Sequence, residues 1–275
     1  MIMQHAPQAR WFLLPLSLLV AFLGAHWLAG PASVGVVAMS VLLGKLLALV
    51  GFVLAATSFS WGDRMHVIWW LFVLNMVLLL GKDLCFGPSA VQCPGLDLSP
   101  ESTRAAVGIA VTIANIASTA ATVLLARTWR EAGLEVESSK MRRVVKLAVV
   151  PIAFALFVVA MRENVRKLPA DVWQTISLVI IPFADLVCFS LIGPLALTAF
   201  SLRGGALALP WAMFALGSAF WVLWDIATSM SHLSGVAVEA VRILALGYTG
   251  SAGLEQWWIL RAHPRGAGLP KESGP

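Results

Sequence analysis

Charge is what this sequence has least of. Only 12% of its 275 residues are charged and 59% are hydrophobic, with a mean hydropathy of +0.86. A soluble domain carries about 25% charged residues. Half that number cannot cover a water-facing surface, so lipid must face most of this chain. Histidines are few and scattered (His5, His26, His66, His232, His263), and none forms a metal-spaced pair. There is no Gly-x-Ser-x-Gly, no Walker loop and no His-Glu-x-x-His. No catalytic residue, metal site or cofactor is therefore expected, and a non-enzymatic role is favoured. The last apolar stretch contains no lysine, which excludes a retinal pump. The net charge of +5 comes with no nucleic-acid-binding motif and is explained by basic loops at a membrane surface. Regular apolar/polar alternation is also missing, which excludes a membrane β-barrel.

What the chain has instead is eight long apolar stretches: 11–29, 34–58, 66–86, 105–127, 144–162, 176–202, 208–230 and 236–260. A spanning helix needs about 20 mainly apolar residues. Turn chemistry separates the stretches, for example Gly30-Pro31, Gly62-Asp63, Gly87-Pro88, Leu168-Pro169 and Gly204-Gly205. The expected fold is all-α, a polytopic membrane bundle of eight spans, with membrane lipids as its surroundings. Residues 1–30 also have the pattern of a signal peptide, and cleavage there would leave seven spans. With the N-terminus inside, the inner segments hold Arg10, Arg64, Arg127, Arg130, Lys140, Arg142, Arg143, Lys146, Arg203, Arg261, Arg265 and Lys271. The outer ends hold Lys82, Arg104, Arg162, Arg166, Lys167 and Arg242. Twelve against six favours a plasma (inner) membrane protein with both termini cytoplasmic. Tryptophans near span ends, such as Trp11, Trp61, Trp69, Trp70, Trp129, Trp257 and Trp258, read as interfacial anchors.

One phrase occurs twice. Trp69, Phe72, Leu74 and Asp83 recur 142 residues later as Trp211, Phe214, Leu216 and Asp225. Ala106-Val107-x-Ile109 in span four is matched by Ala240-Val241-x-Ile243 in span eight. This spacing predicts tandem halves, 1–130 and 144–261, joined by a cytoplasmic linker, 131–143, and followed by a short tail, 262–275. Four helices per half is an even number, so the copies would share orientation about an axis along the membrane normal. The small faces of span four (Ala110, Ala114, Ala117, Ser118, Ala121, Thr122) and span eight (Gly247, Gly250, Ser251, Gly253) are expected at helix–helix seams.

Charges inside the spans gather toward one side. A charge at the bilayer centre costs at least about 2.5–3.5 kcal/mol, so each one needs a partner, water or a use. Lys45 lies near mid-membrane, and Lys82, Asp83, Asp185, Asp225, Glu239 and Arg242 lie in the outer half. Two readings fit. One is a polar pocket open to the outside, flanked by Trp221 and Trp224. The other is a set of structural ion pairs, Lys45 with Asp185 and Arg242 with Asp225 or Glu239. Cys85 and Cys93 flank an outer loop and are positioned for a disulfide, while Cys188 reads as a small core residue.

Asp185 in an apolar helix, Arg203-Gly204-Gly205 with Leu209-Pro210-Trp211 at a turn, Asp225 ending the next helix and Gly247-Tyr248 in the last form a further pattern. Through it, residues 183–256 resemble the membrane-sensor regions found ahead of cyclic-dinucleotide synthases and histidine kinases. The resemblance implies a sensor- or receptor-like protein that binds a small or lipidic ligand. After Arg261 only residues 262–275 remain, too few for an effector domain, which implies a separate cytoplasmic signalling partner. A secondary transporter using Lys45, Asp185 and Asp225 is the alternative. A lipid-directed enzyme with Asp225 and Glu239 as acid and base is the weakest reading.

Overall fold

In the computed structural model, residues 9–30, 33–86, 99–131, 140–166, 172–201, 208–229 and 235–262 are described. They form eight helices: α1 (Ala9–Ala29), α2 (Ser33–Thr57), α3 (Arg64–Phe86), α4 (Pro100–Glu131), α5 (Lys140–Arg166), α6 (Val172–Ser201), α7 (Ala208–Ser229) and α8 (Gly235–Ala262). There is no strand among the described residues. Seven of the helices, all but α8, are long and apolar enough to cross a membrane. In lipid a helix satisfies every backbone group within its own segment, which is why long apolar runs adopt it. Large apolar side chains face outward along their length, Val20, Leu43, Leu147 and Phe183 among them. An apolar exterior of this extent belongs against lipid. The architecture is that of an all-helical, multi-pass membrane protein.

Helix ends follow local chemistry. Asp63 caps α3, its Oδ1 accepting from the Met65 amide at 2.9 Å. Ser99 caps α4, its Oγ accepting from the Ser102 amide at 3.2 Å, with Pro100 in the first helical position. Gly62, at φ 94°, makes the turn between α2 and α3 that a residue with a Cβ would strain. Two helices outrun their apolar stretches. α4 extends from Pro100 to Glu131 and α5 from Lys140 to Arg166, because a helix continues in water beyond the lipid-facing zone. At one end of the molecule Arg64 of α3 pairs with Glu131 of α4. That end is termed the Trp61 end, and the opposite one the Cys85 end.

Six helices close a ring in the order α2, α3, α4, α6, α7, α8, with α8 returning to α2. α1 lies outside against α8 and α2, and α5 lies outside against α6 and α7. The α2–α8 seam is the tightest, because Gly51, Gly250 and Gly253 let the two backbones touch. In α8 every residue from Ala245 to Gln256 is buried, including Glu255. A helix enclosed by α1, α2 and α7 needs no apolar outer face, which explains why α8 alone lacks a stretch apolar enough for a spanning helix. Of the small residues expected at seams, Ala114, Ala117, Ala121 and Thr122 of α4 and Gly247, Gly250, Ser251 and Gly253 of α8 are buried. Ala110 and Ser118 are half-buried.

The tryptophans divide. Trp61 is exposed and Trp70 partly so, as anchors should be, but Trp69 and Trp129 are core residues, 1% and 5% exposed. They belong to an aromatic cluster across the ring: Trp69 to Trp211 at 6.0 Å, Phe72 to Phe214 at 4.9 Å, Trp129 to Trp211 at 5.4 Å and Phe52 to Trp69 at 5.8 Å. Both copies of the twice-occurring Trp-x-x-Phe phrase therefore meet face to face. Reading a tryptophan by its distance from a span end misses which side of the helix it occupies.

Candidate functional site

Above the aromatic cluster, toward the Cys85 end, the ring encloses a cavity of about 310 Å3. Phe214 belongs to both, so the aromatic cluster forms the cavity's floor on that side. All six ring helices contribute. α2 supplies Lys45; α3 supplies Asn75 and Lys82; α4 supplies Asn115, Ser118 and Thr122. α6 supplies Asp185 and Cys188, α7 supplies Ser218, Trp221, Trp224, Asp225 and Thr228, and α8 supplies Arg242. Asp83 and Glu239 line a neighbouring cavity of about 420 Å3, with Lys82, Trp224 and Arg242 shared between the two.

One wall is cationic. The fully buried Lys45 donates from Nζ to Asp83 Oδ2 at 2.5 Å and to the Leu79 carbonyl at 3.0 Å. Lys82 donates to the other Asp83 oxygen at 2.5 Å. Arg242 reaches Asp83 at 3.4 Å and Glu239 at 3.3 Å, and its guanidinium lies 4.7 Å from the centre of the Trp224 ring. Desolvated charges need this much compensation, and Asp83 gathers three cations.

The expected pair of Lys45 with Asp185 does not form. α2 and α3 are neighbours in the ring, whereas α6 stands across the cavity from α2, so the lysine meets the acid of the adjacent helix. Arg242 takes Glu239, one turn back on its own helix, and Asp83 in place of Asp225. Asp225 instead shares the cavity wall with Asp185, the two carboxyl groups coming from adjacent α7 and α6. Two acids on one desolvated wall resist ionising together and favour holding one proton between them. Trp221 and Trp224 pack edge to face at 5.4 Å on the same side.

The remaining polar lining comes from Asn115, Ser118 and Thr122 on α4 and Ser218 on α7, which charge alone does not single out. The signal for the first three is their spacing: steps of three and four residues put them on one helical face. Asn75 donates to the Ala114 carbonyl of α4 at 2.8 Å, tying α3 to α4. Cys188 is a free thiol beside Thr122. Cys85 is disulfide-bonded, and Cys93 lies outside the described residues. No group of three or more His, Cys, Asp or Glu residues suited to a metal ion occurs among the described residues.

No family model matches this chain, and no curated protein or solved structure is significantly similar to it.

Proposed function

We propose that this protein is a non-enzymatic, sensor- or receptor-like membrane protein that binds a small or lipidic ligand in the cavity of the helix ring. What carries the reading is a space of about 310 Å3 with charged groups of both signs on its walls and aromatic packing beneath it. Ligand sites in helical bundles lie between helices and combine apolar lining with a few convergent polar groups. The aromatic floor favours a blind pocket over a through-path, which ranks sensing above transport. The sensor-region resemblance of residues 183–256 points the same way, and a separate cytoplasmic protein would relay the signal.

The organisation we propose is two tandem four-helix halves and eight spans, α8 being the enclosed one. In support, α1–α2, α2–α3 and α3–α4 contacts are matched by α5–α6, α6–α7 and α7–α8, and α4–α6 by α8–α2. The crossing register repeats as well. Asn75 meets α4 at Ala114, and Gly217, 142 residues later, meets α8 at Ala245 and Thr249. The cavity then lies between the halves, where repeat proteins of the membrane build their sites. In a plasma membrane with the Cys85 end outside, both termini are cytoplasmic. Tags at Met1 and at Pro275 should then both resist an impermeant label on intact cells. Labelling of the Pro275 tag would reverse the orientation.

Trp221 and Trp224 make binding observable. The purified chain in lipid nanodiscs should change tryptophan emission, saturably, with at least one member of a panel of amino acids, amines, carboxylates and short-chain phospholipids. Trp221→Phe should remove most of that response. Uptake of the same solute by proteoliposomes would replace the receptor reading with transport. A panel without any saturable response would remove the ligand site.

A further inference from the structure

Among the described residues no cation forms an ion pair with Asp185 or Asp225, whereas Asp83 gathers three. On α2 and α3 an ammonium, Lys45 Nζ, sits on a carboxylate, Asp83, at 2.5 Å. Lys45 precedes Asp185 by 140 residues and Asp83 precedes Asp225 by 142. The two offsets differ by two residues, so Asp185 lies near the position that corresponds to Lys45 and not at it. Both carboxyl groups line the open space of the cavity. We propose that Asp185 and Asp225 form a seat for the ammonium group of a small organic monoamine, which enters the cavity and sits on these acids as the Lys45 ammonium sits on Asp83. This inference rests on the ligand-cavity reading above and names its ligand class.

The surroundings select the cation. Ile181, Ala184, Phe214 and Val222 make the wall beside the acids apolar, and Trp221 presents an aromatic ring. Such a wall suits the organic part of an amine better than the water shell of a metal ion. Charge balance agrees. Lys45, Lys82 and Arg242 exceed Asp83 and Glu239 by one positive charge, and a carboxyl pair holding one proton carries one negative charge. When R–NH3+ binds, the O–H bond of the shared acid breaks and its proton leaves to water. No covalent bond of the amine changes, and the cavity's net charge is conserved. The other titratable groups facing the pair are Cys188 of α6, Arg242 of α8 and, across the cavity, Lys45 and Lys82. α4 contributes only uncharged groups there, and α5 packs behind the pair with Ala153, Leu156, Phe157 and Ala160. A second ammonium on the ligand would meet the cationic wall, so a monoamine is preferred to a diamine.

The test uses the full chain in nanodiscs in weakly buffered solution. 2-Phenylethylamine should raise the melting temperature, shift tryptophan emission saturably and release a proton for each molecule bound. 1,4-Diaminobutane should bind at least about tenfold more weakly, and sodium chloride at equal concentration should not compete. Asp225→Asn and Asp185→Asn each keep the size and polarity of the side chain and should remain folded by gel filtration, yet lose at least about tenfold in amine affinity together with the proton release. The seat is disproved if both variants bind the amine as the native chain does, if sodium competes equally, or if binding releases no proton. If a different solute of the panel binds and no amine does, this inference fails while the ligand-cavity reading stands. If nothing binds, both fail.

Discussion

Replacing Lys45 by methionine should remove about 3–5 kcal/mol of stability, the usual loss when one partner of a buried ion pair is deleted. The side chain is 1% exposed and its Nζ fills two acceptors, Asp83 Oδ2 and the Leu79 carbonyl. Methionine fills the volume, so the loss is electrostatic rather than a cavity. Lys82 and Arg242 still face Asp83 and place the effect toward the lower end of that range. Adding Asp83→Asn should cost clearly less than the same change in the native chain, because its contact with Lys45 is already gone, although Lys82 and Arg242 still lose a partner. Adding Asp185→Asn should show no such coupling. The measurement is thermal unfolding of the single and double variants in one detergent. Coupling to Asp185→Asn and not to Asp83→Asn would mean that Lys45 reaches across the ring, against the geometry described above.

That contrast marks where a sequence stops being informative in lipid. The eight helices are legible because the long apolar stretches and the turn residues between them are one-dimensional signals. Lys45, Lys82, Asp185, Asp225 and Arg242 are legible as a group because an ionisable residue in a span needs a reason. Which acid meets which base is not legible, since it depends on the order of helices around the ring. α4 packing on α6, with α5 displaced outward, is what moves Asp185 away from Lys45. The helix faces were equally hidden. Trp69 lies within a turn or two of the start of α3 and on length alone belongs to the interface, yet its side chain points at Trp211. α8 illustrates the opposite case. Its Glu239, Arg242 and Glu255 dilute its hydropathy, and the enclosure by α1, α2 and α7 that makes those residues tolerable is a tertiary fact. The small residues Gly247, Gly250, Ser251 and Gly253 were its one strong local sign, because close packing is what a helix without an apolar exterior must achieve.

Single methyl groups at the α2–α8 seam should therefore be poorly tolerated. A Cβ on Gly253 would lie 2.5 Å from the carbonyl carbon and oxygen of Gly51, and one on Gly250 would lie 3.0 Å from the Cα of Ala48. These neighbours are backbone, so no side chain can swing aside and the helices must separate. Overpacking of a well-filled interior costs about 1–3 kcal/mol, and backbone opposition places Gly253→Ala at or beyond the upper end. Gly24→Ala and Gly81→Ala are the controls. Nothing lies within 4 Å of either added methyl, and both sit inside helices, where alanine is better than glycine by about 0.5–1 kcal/mol in water. Unfolding in detergent should lower the midpoint for Gly253→Ala and leave or raise it for the controls. The seam also sets the site. α2 carries Lys45 and α8 carries Arg242, and both converge on Asp83, so spreading the two helices pulls two cations away from one carboxylate. Gly253→Ala should accordingly weaken the energetic coupling between Lys45→Met and Asp83→Asn, although position 253 lies far along α8 from Arg242. Full coupling in a destabilised Gly253→Ala protein would show that the ion cluster is held by α3 alone, and that the α2–α8 seam supports the bundle without tuning the cavity.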